Sequence, residues 1–258
     1  MEVLKFLFGI FAGNATALFL FLSPVVTFRR IVRKRSTEDF SGVPYNVTFL
    51  NCLLFAWYGL PFVSPNNILV STINGTGAAI EAVYVIIFLS FAPKKVRARM
   101  AGLFALVLSI FAVIALVSLL ALRGQDRKVF CGVAATFFSI CMYASPLSIM
   151  RLVIRTKSVE YMPFLLSLFV FVSGTLWFIY GLLGHDPFVT VPNGCGSALG
   201  AMQLVLYAVY RKNKGGGDAD GKMVEMNGEK PPKNDAVSAE KTPHHPMEEQ
   251  VLECAVRR

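Results

Sequence analysis

Two asparagines, Asn74 and Asn193, and two aromatic residues, Phe55 and Trp177, stand inside long apolar stretches of the chain. A carboxamide offers two N–H donors and one acceptor, which suits a pair of adjacent hydroxyls. An aromatic face suits the apolar C–H face of a pyranose ring. The chemistry these types support is the binding of a neutral, polyhydroxylated ligand. An amino acid would require a charged or helix-terminal partner for its carboxylate. The competing use of each asparagine is an interhelical hydrogen bond, and of each ring, core packing.

Four prolines form a second set. Pro24 and Pro146 lie four residues from the ends of their apolar runs, and Pro44 and Pro163 lie at the starts of theirs. Each removes a backbone N–H and disturbs a helix, and in a membrane such breaks persist where neighbours or a cavity satisfy the freed carbonyls. Paired at one depth, they point to hinges of a gate. Glu81 is the only ionisable residue deep in an apolar run. An intramembrane carboxylate suggests proton transfer, but Glu81 has no charged partner in the runs. No paired carboxylates or histidine cluster supports catalysis, since His185, His244 and His245 are peripheral. No catalytic residue, metal site or cofactor is expected.

The elements that must position these residues follow from composition. The chain has 258 residues, of which 55% are hydrophobic and 16% charged, against roughly 25% charged in a soluble domain. About 20 apolar residues cross the hydrocarbon core as a helix. Seven runs qualify: 6–28, 43–63, 68–92, 102–122, 129–150, 162–184 and 188–210. A transmembrane barrel would show alternating segments of about ten residues instead. The first run is too long for a signal-peptide core and reads as a retained span. A soluble enzyme is excluded as the leading reading, and the lipid bilayer is the expected surroundings.

Fifteen Lys or Arg residues fall in the loops on one side of these spans and four on the other. The amino terminus is therefore expected outside and the carboxyl terminus in the cytosol. The net charge of +9 reflects those loops, not a nucleic-acid surface. Cys52, Cys131, Cys141 and Cys195 lie within spans, where small apolar packing accounts for them. The Asn-x-Thr matches at Asn14, Asn46 and Asn74 also lie within spans and are not read as glycosylation sites.

The spans are duplicated. The stretch from Ser23-Pro24 to Glu38 matches that from Ser145-Pro146 to Glu160 at an offset of 122, with six of sixteen positions identical. Tyr58-Gly59-Leu60 matches Tyr180-Gly181-Leu182 at 122, and Asn74-Gly75 matches Asn193-Gly194 at 119. A three-residue slip of register is expected within the pair formed by the second and sixth spans. The predicted fold is all-α and transmembrane. It has a three-helix repeat (1–92), a linker helix with flanking loops (93–128), a second three-helix repeat (129–212) and a disordered cytoplasmic tail (213–258). An even number of crossings separates the copies, so they run parallel, as in secondary transporters with a site at the repeat interface. Counting helix rise, Asn74, Asn193, Trp177 and Phe55 lie about 8–12 Å below the outer end of their spans. They form one layer, to which Phe55 and Trp177 contribute as partners at the 122 offset.

These motifs resemble the plant SWEET sugar facilitators. The resemblance is carried by Gly13-Asn14-Ala15-Thr16, Ser23-Pro24, Lys34-Arg35-Ser36-Thr37-Glu38-Asp39-Phe40, Pro44-Tyr45, Trp57-Tyr58-Gly59, Asn74-Gly75, Tyr143-Ala144-Ser145-Pro146, the segment from Lys157 to Pro163, and Asn193-Gly194. It covers residues 6–212 nearly throughout. The resemblance implies facilitated, energy-independent flux of a mono- or disaccharide by alternating access, with hexoses such as glucose favoured. A proton-coupled transporter and a sucrose-preferring facilitator are the alternatives. It implies sugar contacts from Asn74, Asn193 and Trp177, a four-proline inner gate of Pro24, Pro44, Pro146 and Pro163, and an outer gate where Tyr58 meets Asp186. It also implies homo-oligomers and, most often, the plasma membrane, a vacuolar membrane being the other location. Phe55 departs from the hexose-preferring subgroup, which usually carries a small residue there.

Overall fold

The computed structural model describes residues 13–159 and 162–211. The start of the first span, Glu160 and Tyr161 of the duplicated motif, and the tail lie outside the described residues. Among the described residues there are nine helical segments and no strand: α1 (Ala15–Leu22), α2 (Val25–Lys34), α3 (Val43–Tyr58), α4 (Ile68–Phe91), α5 (Lys94–Leu120), α6 (Gly124–Met142), α7 (Ala144–Thr156), α8 (Phe164–Leu183) and α9 (Pro187–Tyr210). The pairs α1/α2 and α6/α7 are single spans, Ala15–Lys34 and Gly124–Thr156, each interrupted once. Seven spans result. Five are long and apolar enough by themselves to cross a membrane. The other two, α3 and α9, are short or diluted by Asn193 and its neighbouring glycines, and pack along a partner helix.

The interruptions fall where the sequence places proline. Pro24 has no N–H for the Leu20 carbonyl, and that acceptor takes the Ser23 N–H at 3.2 Å and the Ser23 hydroxyl at 2.8 Å instead. The next carbonyl, of Phe21, accepts the Tyr84 hydroxyl of α4 at 3.0 Å. Pro146 follows the second interruption, at Tyr143. Pro44 sits in the first turn of α3, where a missing N–H costs nothing. Pro163 is exposed and precedes α8 in extended backbone. The helices leading into these prolines end alike: Arg35 and Lys157, partners at the 122 offset, are both left-handed, at φ 50° and 52°.

Each triplet places its third span between the other two. In the first, α4 packs on α1, α2 and α3; in the second, α9 packs on α6, α7 and α8. The triplets meet crosswise, α1 against α8 and α3 against α6, as a pseudo-two-fold axis along the spans requires. The linker α5 packs on α3, α4 and α6 and is fastened by the Trp57 indole N–H, which donates to the buried Ser118 hydroxyl at 3.2 Å. Helices two and three of each triplet touch at a glycine. A Cβ at Gly59 would lie 2.5 Å from the Ser71 nitrogen, and one at Gly181 2.7 Å from the Thr190 nitrogen. Small residues at such crossings let backbones approach.

Two sequence expectations are corrected. The register slip falls after the second and sixth spans and not within them. Tyr58 and Tyr180 still correspond at 122, while the N-caps of α4 and α9, Asn67 and Asp186, correspond at 119, so the three extra residues lie in the 59–67 loop. Of the four cysteines in the spans, Cys52 and Cys131 are buried, but Cys141 and Cys195 are exposed on the outside of the bundle and do not pack in the core.

Candidate functional site

A cavity of about 190 Å3 lies between the triplets. All six spans of the two repeats contribute to its wall and α5 does not. Phe55, Asn74, Trp177 and Asn193 line it together. The depth argument from sequence therefore gathers residues that the fold brings into one cavity. The rings are nearly buried and the two carboxamides half-buried.

The carboxamides are held in matching ways. Asn74 Nδ2 donates to the Val70 carbonyl and Asn193 Nδ2 to the Val189 carbonyl, each at 2.8 Å and each four residues back along its own helix. That bond uses one N–H of each amide and leaves the other N–H and Oδ1 for a ligand. Val70 and Val189 also line the cavity and form its apolar lining beside the amides. No charged residue is among the lining residues, so the site discriminates by hydrogen bonds and shape.

Symmetry did not reveal four further lining residues: Asn51, Ser139, Tyr143 and Pro192. Ser139 donates to Asn51 Oδ1 at 2.7 Å across the repeat interface and leaves the Asn51 amino group unassigned. Pro192 lies inside the continuous helix α9, immediately before Asn193. It cannot donate to the Phe188 carbonyl, and Thr136 of α6 reaches that carbonyl at 3.4 Å. The Tyr143 hydroxyl donates to the Pro192 carbonyl. The proline turn of α9 is thereby bound to the interrupted span α6/α7. At these positions the repeat partners are of other types: Ser173, Ala17, Phe21 and Ile73. A search for identical pairs passes over them.

One helical turn toward the loop between α3 and α4 lies a buried polar cluster. The Tyr58 hydroxyl lies 2.8 and 2.7 Å from the two carboxylate oxygens of Asp186. Asp186 also accepts from Asn67 Nδ2 at 2.5 Å and from the Phe188 N–H at 3.0 Å, with Lys128 Nζ at 3.7 Å. Tyr58, Asn67 and Asp186 are each no more than 3% exposed. Tyr58 and Asp186 thus meet, a contact that the family resemblance implies. Each cavity ring leans on a tyrosine of this layer three residues along its helix: Phe55 on Tyr58 with centroids 6.4 Å apart, Trp177 on Tyr180 at 5.1 Å.

None of Pro24, Pro44, Pro146 and Pro163 lines the cavity; they lie toward the opposite, lysine- and arginine-rich end. Glu81 does not line it either. It is 3% exposed within the first triplet, and its Oε2 has no hydrogen-bond partner. Among the described residues no group of three or more His, Cys, Asp or Glu could hold a metal ion.

Comparison with known proteins fits this geometry. A family model described as "Sugar efflux transporter for intercellular exchange" (MtN3_slv) matches twice, over residues 6–96 and 129–215, the two triplets in turn. The bidirectional sugar transporter SWEET1a of Oryza sativa subsp. japonica is 74% identical over 214 residues, covering 83% of this chain and 78% of its own. SWEET1a of Sorghum bicolor is 75% identical over 215 residues, 83% of this chain and 80% of its own. SWEET1 of Arabidopsis thaliana is 66% identical over 220 residues, 85% of this chain and 89% of its own. The 3.7 Å structure of a eukaryotic SWEET transporter superposes with a TM-score of 0.79 at 46% identity, over 82% of this chain and 99% of that one. One family model repeated on both triplets, with relatives this similar along most of their length, leaves a single assignment: the chain belongs to the MtN3_slv family, the SWEET transporters.

Proposed function

We propose that this integral membrane protein carries sugar in both directions by alternating access, as a uniporter whose favoured substrates are hexoses such as glucose. The observation that carries the reading is the uncharged cavity at the repeat interface, where two tethered carboxamides and two rings come from opposite triplets. The relatives' description as bidirectional sugar transporters supports it. In this reading Asn74, Asn193, Trp177 and Phe55 bind the sugar, and the Tyr58–Asp186 contact closes one mouth. The prolines Pro24, Pro44, Pro146 and Pro163 supply the flexible segments of the other. The basic loops support a cytosolic proline end and carboxyl terminus, by the positive-inside rule. The protein works as a homo-oligomer, with the plasma membrane as its location.

A second reading, proton-coupled transport, has one observation in its favour, the buried and incompletely bonded carboxyl of Glu81. Glu81 is not among the residues that line the cavity, which favours the uniporter. Uptake of radiolabelled glucose and sucrose into liposomes holding the purified protein separates the readings. The uniporter equilibrates glucose, shows counterflow and ignores an imposed proton gradient. Accumulation driven by that gradient establishes coupling and overturns uniport.

A further inference from the structure

Asn67 and Asp186 occupy corresponding positions of the two copies. Each is the N-cap of the third span of its triplet, and they correspond at the 119 offset that also relates Asn74 to Asn193. Across the pseudo-two-fold axis they are bonded directly, Asn67 Nδ2 to Asp186 Oδ2 at 2.5 Å. The tyrosines repeat the pattern. Tyr58 of the first triplet donates to the N-cap of the second, and Tyr180, its partner at 122, has its hydroxyl 3.5 Å from Oδ1 of the N-cap of the first. The second contact is long and weak where the first is short.

The two N-caps are chemically unlike in a way that suits the contact. Asp186 accepts from its own helix through the Phe188 N–H, whereas the Asn67 side chain makes no bond to its own helix. Its carboxamide is spent instead on Asp186 and on the Ser64 hydroxyl, at 2.7 Å. Two aspartates at this distance would repel, and two residues with acceptor oxygens alone could not bond. One amide donor against one carboxylate joins the triplets at the axis. Lys128, 3.7 Å away, offsets the charge.

We infer that Asn67 is a positioning residue of this gate: its carboxamide holds Asp186 for Tyr58, and closure of the mouth depends on one donor facing one carboxylate across the axis. The inference rests on the transporter reading given above, and the test separates the two. Full-length protein carrying Val70→Cys, in the cavity wall below the cluster, is labelled in right-side-out vesicles with a membrane-impermeant maleimide, and glucose counterflow is measured in parallel. Adding Asn67→Asp places like charges in contact and raises the labelling rate by about tenfold, with slower counterflow. Exchanging the pair, Asn67→Asp with Asp186→Asn, restores a donor facing a carboxylate and returns labelling toward the starting rate. A residue that only caps a helix would not show this, because Asp and Asn cap alike. Labelling unchanged by Asn67→Asp, or unaltered by the exchange, overturns the inference. An absence of glucose counterflow in unsubstituted protein refutes the sugar reading alone. If Asn67→Asp does not fold, the exchanged pair still decides: it folds and labels slowly if the pairing matters, and fails alike if it does not.

Discussion

Asn74 and Asn193 come from different triplets, yet each fixes its carboxamide by the same bond of the same length, to the carbonyl four residues earlier. The tether sets the rotamer at the level of the backbone, so the remaining donor and acceptor face the cavity before a ligand arrives. Replacing either residue by alanine removes one local bond, which contributes about 1 kcal/mol. The helix itself stays in place. Asn74→Ala and Asn193→Ala are therefore expected to express and melt nearly as the parent while glucose counterflow falls by about tenfold or more. Equal counterflow at saturating and limiting glucose would show that the amides only join helices.

Phe55 and Trp177 both line the cavity, and a smaller residue at position 55 would leave more room in it. Truncating a buried Phe normally costs about 3–5 kcal/mol through the cavity it leaves. Here much of the vacated space joins an existing polar cavity, and the cost is expected to fall below that range. Phe55→Ser should leave expression intact and shift preference or apparent affinity among glucose, galactose and sucrose, read by competition against labelled glucose. Unchanged preference and affinity for all three sugars would remove Phe55 from the site.

Gly59 and Gly181 form the third matched pair, and the reason for the match is visible only in three dimensions. Each lies where helix two of a triplet meets the backbone of helix three, at Ser71 and Thr190, which correspond at 119. Because the obstacle is backbone, it cannot rotate away. Gly59→Ala and Gly181→Ala are each expected to destabilise by about 1–3 kcal/mol, the usual range for an overpacked contact, and to lower the yield of folded protein. Gly75→Ala, where a Cβ meets open space, is the control. Thermal melting in detergent checks all three.

The sequence showed what the duplication repeats. Long apolar runs mark seven spans, and matched motifs mark the triplets, the paired asparagines and the prolines that break α1/α2 and α6/α7. What it hid is what the duplication does not repeat. Pro192, Asn51 and Ser139 line the cavity with no like partner, and their placement depends on which face of a helix turns toward the axis. In helices apolar all round, hydropathy does not mark that face. The exact place of the register slip is also hidden, because the motif pairs bracket it but only the helix ends show that it lies in the 59–67 loop. Asn67 was passed over for the same reason: its correspondence with Asp186 appears once the slip is located.

The two loops entering the second span of each triplet differ in charge, although their left-handed turns match. In the first, Arg30 donates Nε–H and Nη2–H to Glu38 at 2.6 and 3.0 Å, and Lys34 adds a bond at 2.6 Å. At the corresponding positions of the second stand Leu152 and Thr156. Those hydrogen bonds, Arg30's foremost, hold the Glu38 carboxyl down from 4.5 to about 2. A depressed carboxyl stabilises the fold above its ordinary value, and that support is lost as pH falls through the window from about 4.5 to 2. The groups are exposed, so salt screens them and the effect is small. Glu38→Gln should lower the melting temperature slightly near neutral pH. The difference from the parent should shrink as pH is taken from 5 toward 2, and also on raising salt at pH 7. A difference that stays constant across that series would show that Glu38 shapes the turn through its hydrogen-bonding geometry and not through its charge.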